Sequence, residues 1–366
     1  MKRFIAVLLA AAMLPLSGCA PLSLTGMLPY AREIEDMELV RTLGVDGDGA
    51  GVTVTGSGGT QEGEKANLVT GQAATISAAV LTMQSQGSSY LYFGHVGQLL
   101  LGEELARRGA KDSLDYVLRD VEMRLEMALY LVRDGTAEAA MEAAAQDGSA
   151  TDRLEALAED VGLTADTTTR SVKDVLADLE DGGASFAPAI SADDTLTAAG
   201  YGILKDDALV GWADQEAALG INLILSRVDA DVVEVAPAGQ ASAALRVVGA
   251  RSVIRPVFEG KTLTGLRVEC RVEANLAEGP PAEDDQRRQA LCDALAEIER
   301  ERIQAALDLA VTYNADYLGL CRAAALLAPW HKQALLCLQS LQFIVVGYQI
   351  IPKSKVSPKI SKKKPS

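Results

Sequence analysis

Residues 243–258 read AALRVVGARSVIRPVF, residues 259–261 read EGK and residues 262–277 read TLTGLRVECRVEANLA. Both long runs are rich in valine and leucine, and only a Glu-Gly-Lys turn separates them. Two β-rich runs joined so tightly form an antiparallel hairpin. A doubly wound parallel sheet would instead join its strands through helices. The expected class is therefore α+β: mostly antiparallel sheets flanked by helices, in more than one domain.

Downstream of the hairpin, Pro280-Pro281 opens one long helix, Asp284 to about Tyr313. Its apolar residues Leu291, Leu295, Ile298, Ile303, Leu307 and Val311 recur at helical spacing, and Glu297, Glu299, Arg300, Glu301 and Arg302 fall on the face expected to be solvated. A last strand, Leu341–Ile351, precedes a lysine-rich tail. Upstream, Thr197–Lys205 and Leu209–Trp212 read as strands around an Asp206-Asp207 turn, and a helix follows from Gln215 to about Leu225.

Further upstream, Met37–Val45 and Val52–Thr55 read as a hairpin around Asp46-Gly47-Asp48-Gly49. Helical spacing covers Thr75–Gln86 and strand alternation covers Tyr90–Leu101. Short helices follow over Glu103–Arg108 and up to Arg119, the second capped by Asp112. Glu122–Val132 alternates like a strand, and Thr136 caps an alanine-rich helix ending near Gln146. Two more helices fit 150–160 and 168–180. Gly182-Gly183 and Pro188 then mark a shift in composition.

At about 150 residues per domain, a chain of 366 residues has room for two or three domains. The expected organisation is a signal peptide over 1–18 and a lipidated tether over 19–32. An N-terminal α+β region over 33–188, with room for two subdomains, precedes a C-terminal α+β domain over 195–351. A disordered tail over 352–366 ends the chain.

The ends decide the compartment. Lys2 and Arg3 precede an uncharged apolar run, Phe4–Leu14. That run is shorter than the roughly 20 apolar residues a membrane span needs, so it reads as a signal peptide. It closes on Leu16-Ser17-Gly18-Cys19, a lipobox. Cys19 is thus the expected lipid-attachment residue, its sulfur taking a diacylglyceryl group and its freed amine a further acyl chain. Two or more chains anchor stably where one does not.

The formal net charge is −16. Without Lys2, Arg3 and the six tail lysines, 26 basic residues face 50 acidic ones, which leaves −24. Such a body repels phosphate backbones, so nucleic acid is excluded as a partner.

Motifs for catalysis fail one after another. Asp46–Gly49 lacks the later oxygen ligands of a calcium loop, because Ala50 and Ser57 stand in their places. The glycines of 56–59 have no following Lys-Ser/Thr. Only His95, placed within a strand, and His331 are histidines, and neither lies in a nucleophile frame. The acid pairs Glu103-Glu104 and Asp206-Asp207 are adjacent and point different ways. Cys270, Cys292, Cys321 and Cys337 lack metal or redox spacing and read as buried thiols, with a disulfide left open by the compartment. The expectation is no enzyme, no cofactor and no metal.

Several blocks together resemble a known family. They are Leu91-Tyr92-Phe93-Gly94-His95-Val96, Leu99-Leu100-Leu101-Gly102-Glu103-Glu104-Leu105-Ala106-Arg107-Arg108-Gly109, and the run Leu114–Leu125. Glu33–Met37 with Gly44-Val45-Asp46, Ala199–Lys205 with Leu209–Trp212, and Asn314–Gly319 continue the series in order. With the lipobox, they resemble the Ger(x)C spore-germination lipoproteins, the C subunits of nutrient germinant receptors. Ala20-Pro21 departs from the tryptophan-aspartate usual after the lipidated cysteine. The resemblance implies α+β architecture, a place on the outer face of the spore inner membrane, and integral-membrane receptor subunits as partners. A solute-binding lipoprotein of a transport system is the rival class, and would show βαβ repeats. A cell-wall hydrolase would show an acid pair or metal cluster.

Overall fold

The computed structural model describes residues 37–58, 66–86, 89–146, 148–164, 167–193, 195–228, 231–260, 262–327 and 342–345. The signal peptide, Cys19, the tether, His331, Cys337 and the lysine tail lie outside the described residues.

The order is β1 (Met37–Leu39), β2 (Thr42–Gly47), β3 (Val52–Ser57), β4 (Leu68–Ala73), α1 (Ile76–Gln86), β5 (Tyr90–Tyr92), β6 (Gln98–Leu101), α2 (Glu103–Arg108), α3 (Lys111–Arg119) and β7 (Ala128–Arg133). Then come α4 (Ala137–Ala144), α5 (Ala150–Thr164), α6 (Val172–Gly182), β8 (Ala184–Ala192), β9 (Leu196–Lys205), β10 (Ala208–Ala213) and α7 (Gln215–Ile224). The remainder is β11 (Asp231–Val235), β12 (Ala243–Glu259), β13 (Thr262–Glu278), α8 (Asp285–Thr312), α9 (Leu320–Leu327) and β14 (Gln342–Val345).

The class is α+β. One eight-stranded sheet runs β10-β9-β8-β7-β6-β2-β3-β4, a four-stranded sheet runs β11-β12-β13-β14, and β1 pairs with β5 alone. The deciding hairpin forms as read, with Arg251 opposite Arg271 and Glu259 opposite Thr262. The large sheet is mixed: β2, β6, β7 and β8 are parallel at its centre, and the outer pairs are antiparallel. The parallel centre is the feature that the sequence reading reserved for the rival class. Helical crossovers through α2–α3 and α4–α6 build it, and their short strands of apolar residues carry no period that tells parallel from antiparallel.

Three local readings change. Tyr90–Leu101 is two strands, because the chain leaves β5 through a turn at Gly94-His95 and joins the large sheet at β6. Its neighbour does the same, β1 giving way to β2 across Val40-Arg41. His95 therefore sits exposed in that turn and not inside a strand. Residues 122–127 alternate without a ladder: Met123 and Met127 enter the core, while the carbonyls of Leu125 and Met127 accept from the Lys173 and Val172 amides at the start of α6. Helix α3 starts after Ala110 with no side-chain cap, so Asp112 lies inside its first turn.

The sheet also continues past the shift in composition. β8, β9 and β10 extend the N-terminal strands by hydrogen bonding, and Phe186, Tyr201 and Ile203 pack in one core with α7, α8 and the long hairpin. Leu204 and Leu209 in turn share the N-terminal core with Leu129 and Leu131, so apolar side chains from both sides of residues 182–195 are buried together, which is the main stabilising term.

Candidate functional site

Three of the motif stretches meet at the C-terminal ends of β2, β6 and β7. The Asp46 carboxylate accepts from the Ala137 amide at 2.8 Å and the Glu138 amide at 2.9 Å. These are orphan donors in the first turn of α4, where negative charge is also favoured by the helix dipole. Thr136 caps the same helix by accepting from the Ala139 amide. Burial pushes the Asp46 carboxyl above its ordinary range, and the two amides partly offset it.

Gly102 is required by this contact, since a Cβ there would lie 1.9 Å from Asp46 Oδ1. Next to it, Glu103 accepts from the Asp134 amide at 2.6 Å and from Arg107 Nε at 2.7 Å. Burial would raise the Glu103 carboxyl, but the Asp134 amide and Arg107 hold it below its ordinary value. Gly109 ends α2 at φ 138°, and Ala110 and Lys111 then donate to the Asp207 carbonyl and carboxylate. The block Leu99–Gly109 thus ties β6, α4 and the β9–β10 turn together.

Around this junction lies a cleft of about 510 Å³. Asp46, Asp48, Glu104 and Glu138 supply its charge, and its lining holds no histidine, cysteine, lysine or arginine. Asp48 accepts from the Ala50 amide at 2.8 Å, as in a turn, and Asp46 is committed to α4. Among the described residues, no group of three or more histidine, cysteine or acidic side chains could hold a metal. The arrangement offers neither a nucleophile with a base nor a donor set for a cofactor; what it can do chemically is repel anions.

The C-terminal motifs also act on geometry. Gly200 adopts φ 79°, and a Cβ there would stand 2.1 Å from the Ala213 carbonyl. Tyr201 donates to Asn222 Oδ1 at 2.6 Å and accepts from the Thr168 amide at 2.6 Å. Asn314 turns the chain after α8 at φ 47°. Asp316 accepts from the Leu320 and Cys321 amides at 2.7 and 2.9 Å, while Tyr317 donates to the Ala306 carbonyl at 2.6 Å.

Helix periodicity misses one cluster. Arg302, expected in solvent, is 9% exposed and Glu299 is 1% exposed. Arg302 Nε donates to Glu216 at 2.8 Å, and one of its terminal nitrogens donates to Asp231 at 2.8 Å and Glu299 at 3.5 Å. Burial pushes the Glu299 carboxyl up to about 7; Arg302 opposes this, and Asp231 and Glu216 add to it. α7 can approach α8 here because residue 220 is glycine, whose Cβ would fall 1.9 Å from the Arg302 carbonyl.

Other singled-out residues fall apart. His95 meets the edge of Tyr92 at 5.8 Å. Arg119 is exposed at the end of α3 and pairs with Asp115 at 3.5 Å. Trp212 is half-buried against the N-terminal core. Cys270 is a buried free thiol and Cys292 a half-buried one.

The comparisons agree in order along the chain. Residues 30–192 match the family described as spore germination protein N-terminal domain. Residues 199–334 match the family described as spore germination B3/GerAC like, C-terminal. A crystal structure of the GerBC protein is similar at a TM-score of 0.54 and 16% identity, covering 87% of this chain and 100% of the other. At that identity the likeness speaks for the fold alone. No curated protein matches.

Proposed function

We infer the role of this chain from the family to which it belongs, the Ger(x)C spore-germination proteins: it serves as the C subunit of a nutrient germinant receptor. The observation that carries this is the co-linear match of both family domains across the described fold. The family is one of receptor subunits and not a known enzyme family, in keeping with a motif block whose side chains serve backbone amides and turns.

The finer reading is a lipoprotein held at the outer face of the spore inner membrane. Cys19 carries the lipid, and integral-membrane receptor subunits are the partners. Support comes from the lipobox after a short apolar run; among the described residues, no helix is long and apolar enough to cross a membrane. Confinement to the membrane plane raises the effective concentration of the subunit against its partners. Signal then passes through protein contacts and not through turnover.

Spores carrying Cys19→Ala test the reading. The variant should leave the membrane fraction, and nutrient-triggered germination, followed by loss of optical density, should fall. A variant that stays membrane-bound and normally processed would remove the anchor. Calorimetric titration of the unacylated body with amino acids and sugars should show no saturable heat; micromolar binding would favour the solute-binding reading, towards which the parallel strands point.

A further inference from the structure

The outer face of the long hairpin reverses the charge of the molecule. Arg251 stands directly opposite Arg271, and Arg255 directly opposite Arg267. Arg246 continues the row towards the base, and Arg246, Arg251, Arg255 and Arg271 are exposed. Like charges facing each other across an antiparallel pair destabilise a sheet, yet two such pairs stand here with only the Val253–Glu269 pair between them on that face. The same face carries two acids, Glu269 and Glu273, against five arginines. Arg255 meets Glu269 at 3.4 Å, whereas no carboxylate among the described residues pairs with Arg246, Arg251 or Arg271. The opposite face of the same strands is apolar and fully used, with Leu266, Val268, Cys270 and Val272 buried in the core.

β14 pairs in parallel with Gly265–Val268, beside Arg267. Lys353, the first of the six tail lysines, follows Val345 by eight residues, a reach of at most about 28 Å. The arginine rows stand out on a chain whose remaining charge is strongly negative.

We propose that this arginine-bearing face of β12 and β13 is a docking surface for anionic lipid head groups. The arginines run from Arg246 to Arg255 on β12, about 30 Å of strand at roughly 3.3 Å per residue. Guanidinium forks match phosphate oxygens, and cationic side chains near an anionic leaflet are attracted within about a Debye length. The acidic remainder is repelled by the same surface, so the two effects together orient the molecule. The inference borrows only the nearness of a membrane from the proposed role; because the test uses unacylated chain, its failure is distinct from failure of the Cys19 anchor.

The experiment is vesicle co-sedimentation of residues 20–366 on phosphatidylcholine alone and on equal parts phosphatidylcholine and phosphatidylglycerol. The comparison is with Arg251→Gln/Arg255→Gln/Arg271→Gln and with the same three positions changed to lysine. Wild type should pellet with the anionic vesicles only, and less as salt is raised. The glutamine variant, tail intact, should partition about a hundredfold more weakly, from three lost attractions near the surface. The lysine variant, which keeps the charge, should bind nearly as wild type. Equal partitioning of wild type and a folded glutamine variant overturns the proposal, as does equal binding to both vesicle types. So does salt-independent binding of the wild type, a readout that stands even where the glutamine variant fails to fold. Retention on immobilised polyglutamate without binding to anionic vesicles also overturns it, in favour of an acidic protein partner.

Discussion

At Gly102 the constraint is space, not backbone conformation, because its φ of −64° suits any residue. Gly102→Ala should push the Asp46 carboxylate off the Ala137 and Glu138 amides and cost about 1–2 kcal/mol, the worth of a lost helix cap. A urea titration checks this, and an unchanged midpoint would show that the cleft yields freely. Glu299 carries a sign that a surface glutamate would not. Its carboxyl is raised from 4.5 to about 7, so the folded state favours the protonated form. The stabilisation it brings is complete below about pH 4.5 and is lost as pH rises through 7, by about 3 kcal/mol at roughly 1.4 kcal/mol per unit. Glu299→Gln should therefore match wild type near pH 4.5 and exceed it in urea midpoint at pH 8. A difference that stays flat with pH would refute the burial account. Cys270 is buried and its thiol is pushed up to about 11, so a thiol reagent should modify it only on unfolding.

Elements whose pattern depends on their own residues were legible. The long hairpin, the long helix that begins at Asp285, and the Thr136 cap all follow from local chemistry. Those that depend on partners were not. No period in Tyr90–Leu101 says that the chain changes sheets at Gly94, since that is decided by β1 and β2 more than forty residues earlier. The burial of Arg302 rests on Glu216 and Asp231, 86 and 71 residues away, and a helical wheel sees neither. The family motifs were legible as motifs, but their reason was hidden: Asp46, Asp207 and Asp316 serve amides far along the chain or in the next helix. Asp316 allows a check at this scale. Asp316→Ala should uncap α9, costing about 1 kcal/mol, and Asp316→Asn should recover part of it. Amide exchange at Leu320 and Cys321 should quicken in the alanine variant well before the protection of α8 changes. Uniform loss across both helices would mean that the carboxylate serves more than the cap.

Over the whole molecule, the family boundary and the hydrogen-bonded sheet disagree in an informative way. One matched region ends at residue 192 and the next begins at 199, a few residues past the shift in composition at Gly182–Pro188. The sheet nevertheless runs from β8 into β9 along eight paired positions, Ala184 to Lys205 at one end and Ala192 to Leu196 at the other. Phe186 on β8 stacks edge-on against Tyr201 on β9 and Tyr317 beyond α8, at 5.0 and 6.1 Å. A fragment ending at residue 192 would expose β8 as an apolar edge strand and leave Phe186 without its core, the situation in which edges aggregate. A fragment ending at residue 228 keeps β9, β10 and α7, so the large sheet stays complete, although the apolar face of α7 loses α8. The expectation is an ordered ranking. Residues 20–366 should melt in one cooperative transition, residues 20–228 at a lower temperature and with weaker cooperativity, and residues 20–192 without a sigmoidal transition. Circular dichroism melts of the three chains decide it. A cooperative transition for residues 20–192 matching the full chain would mean that the matched regions are independent folding units, and that the continuous sheet is a docking of two finished domains.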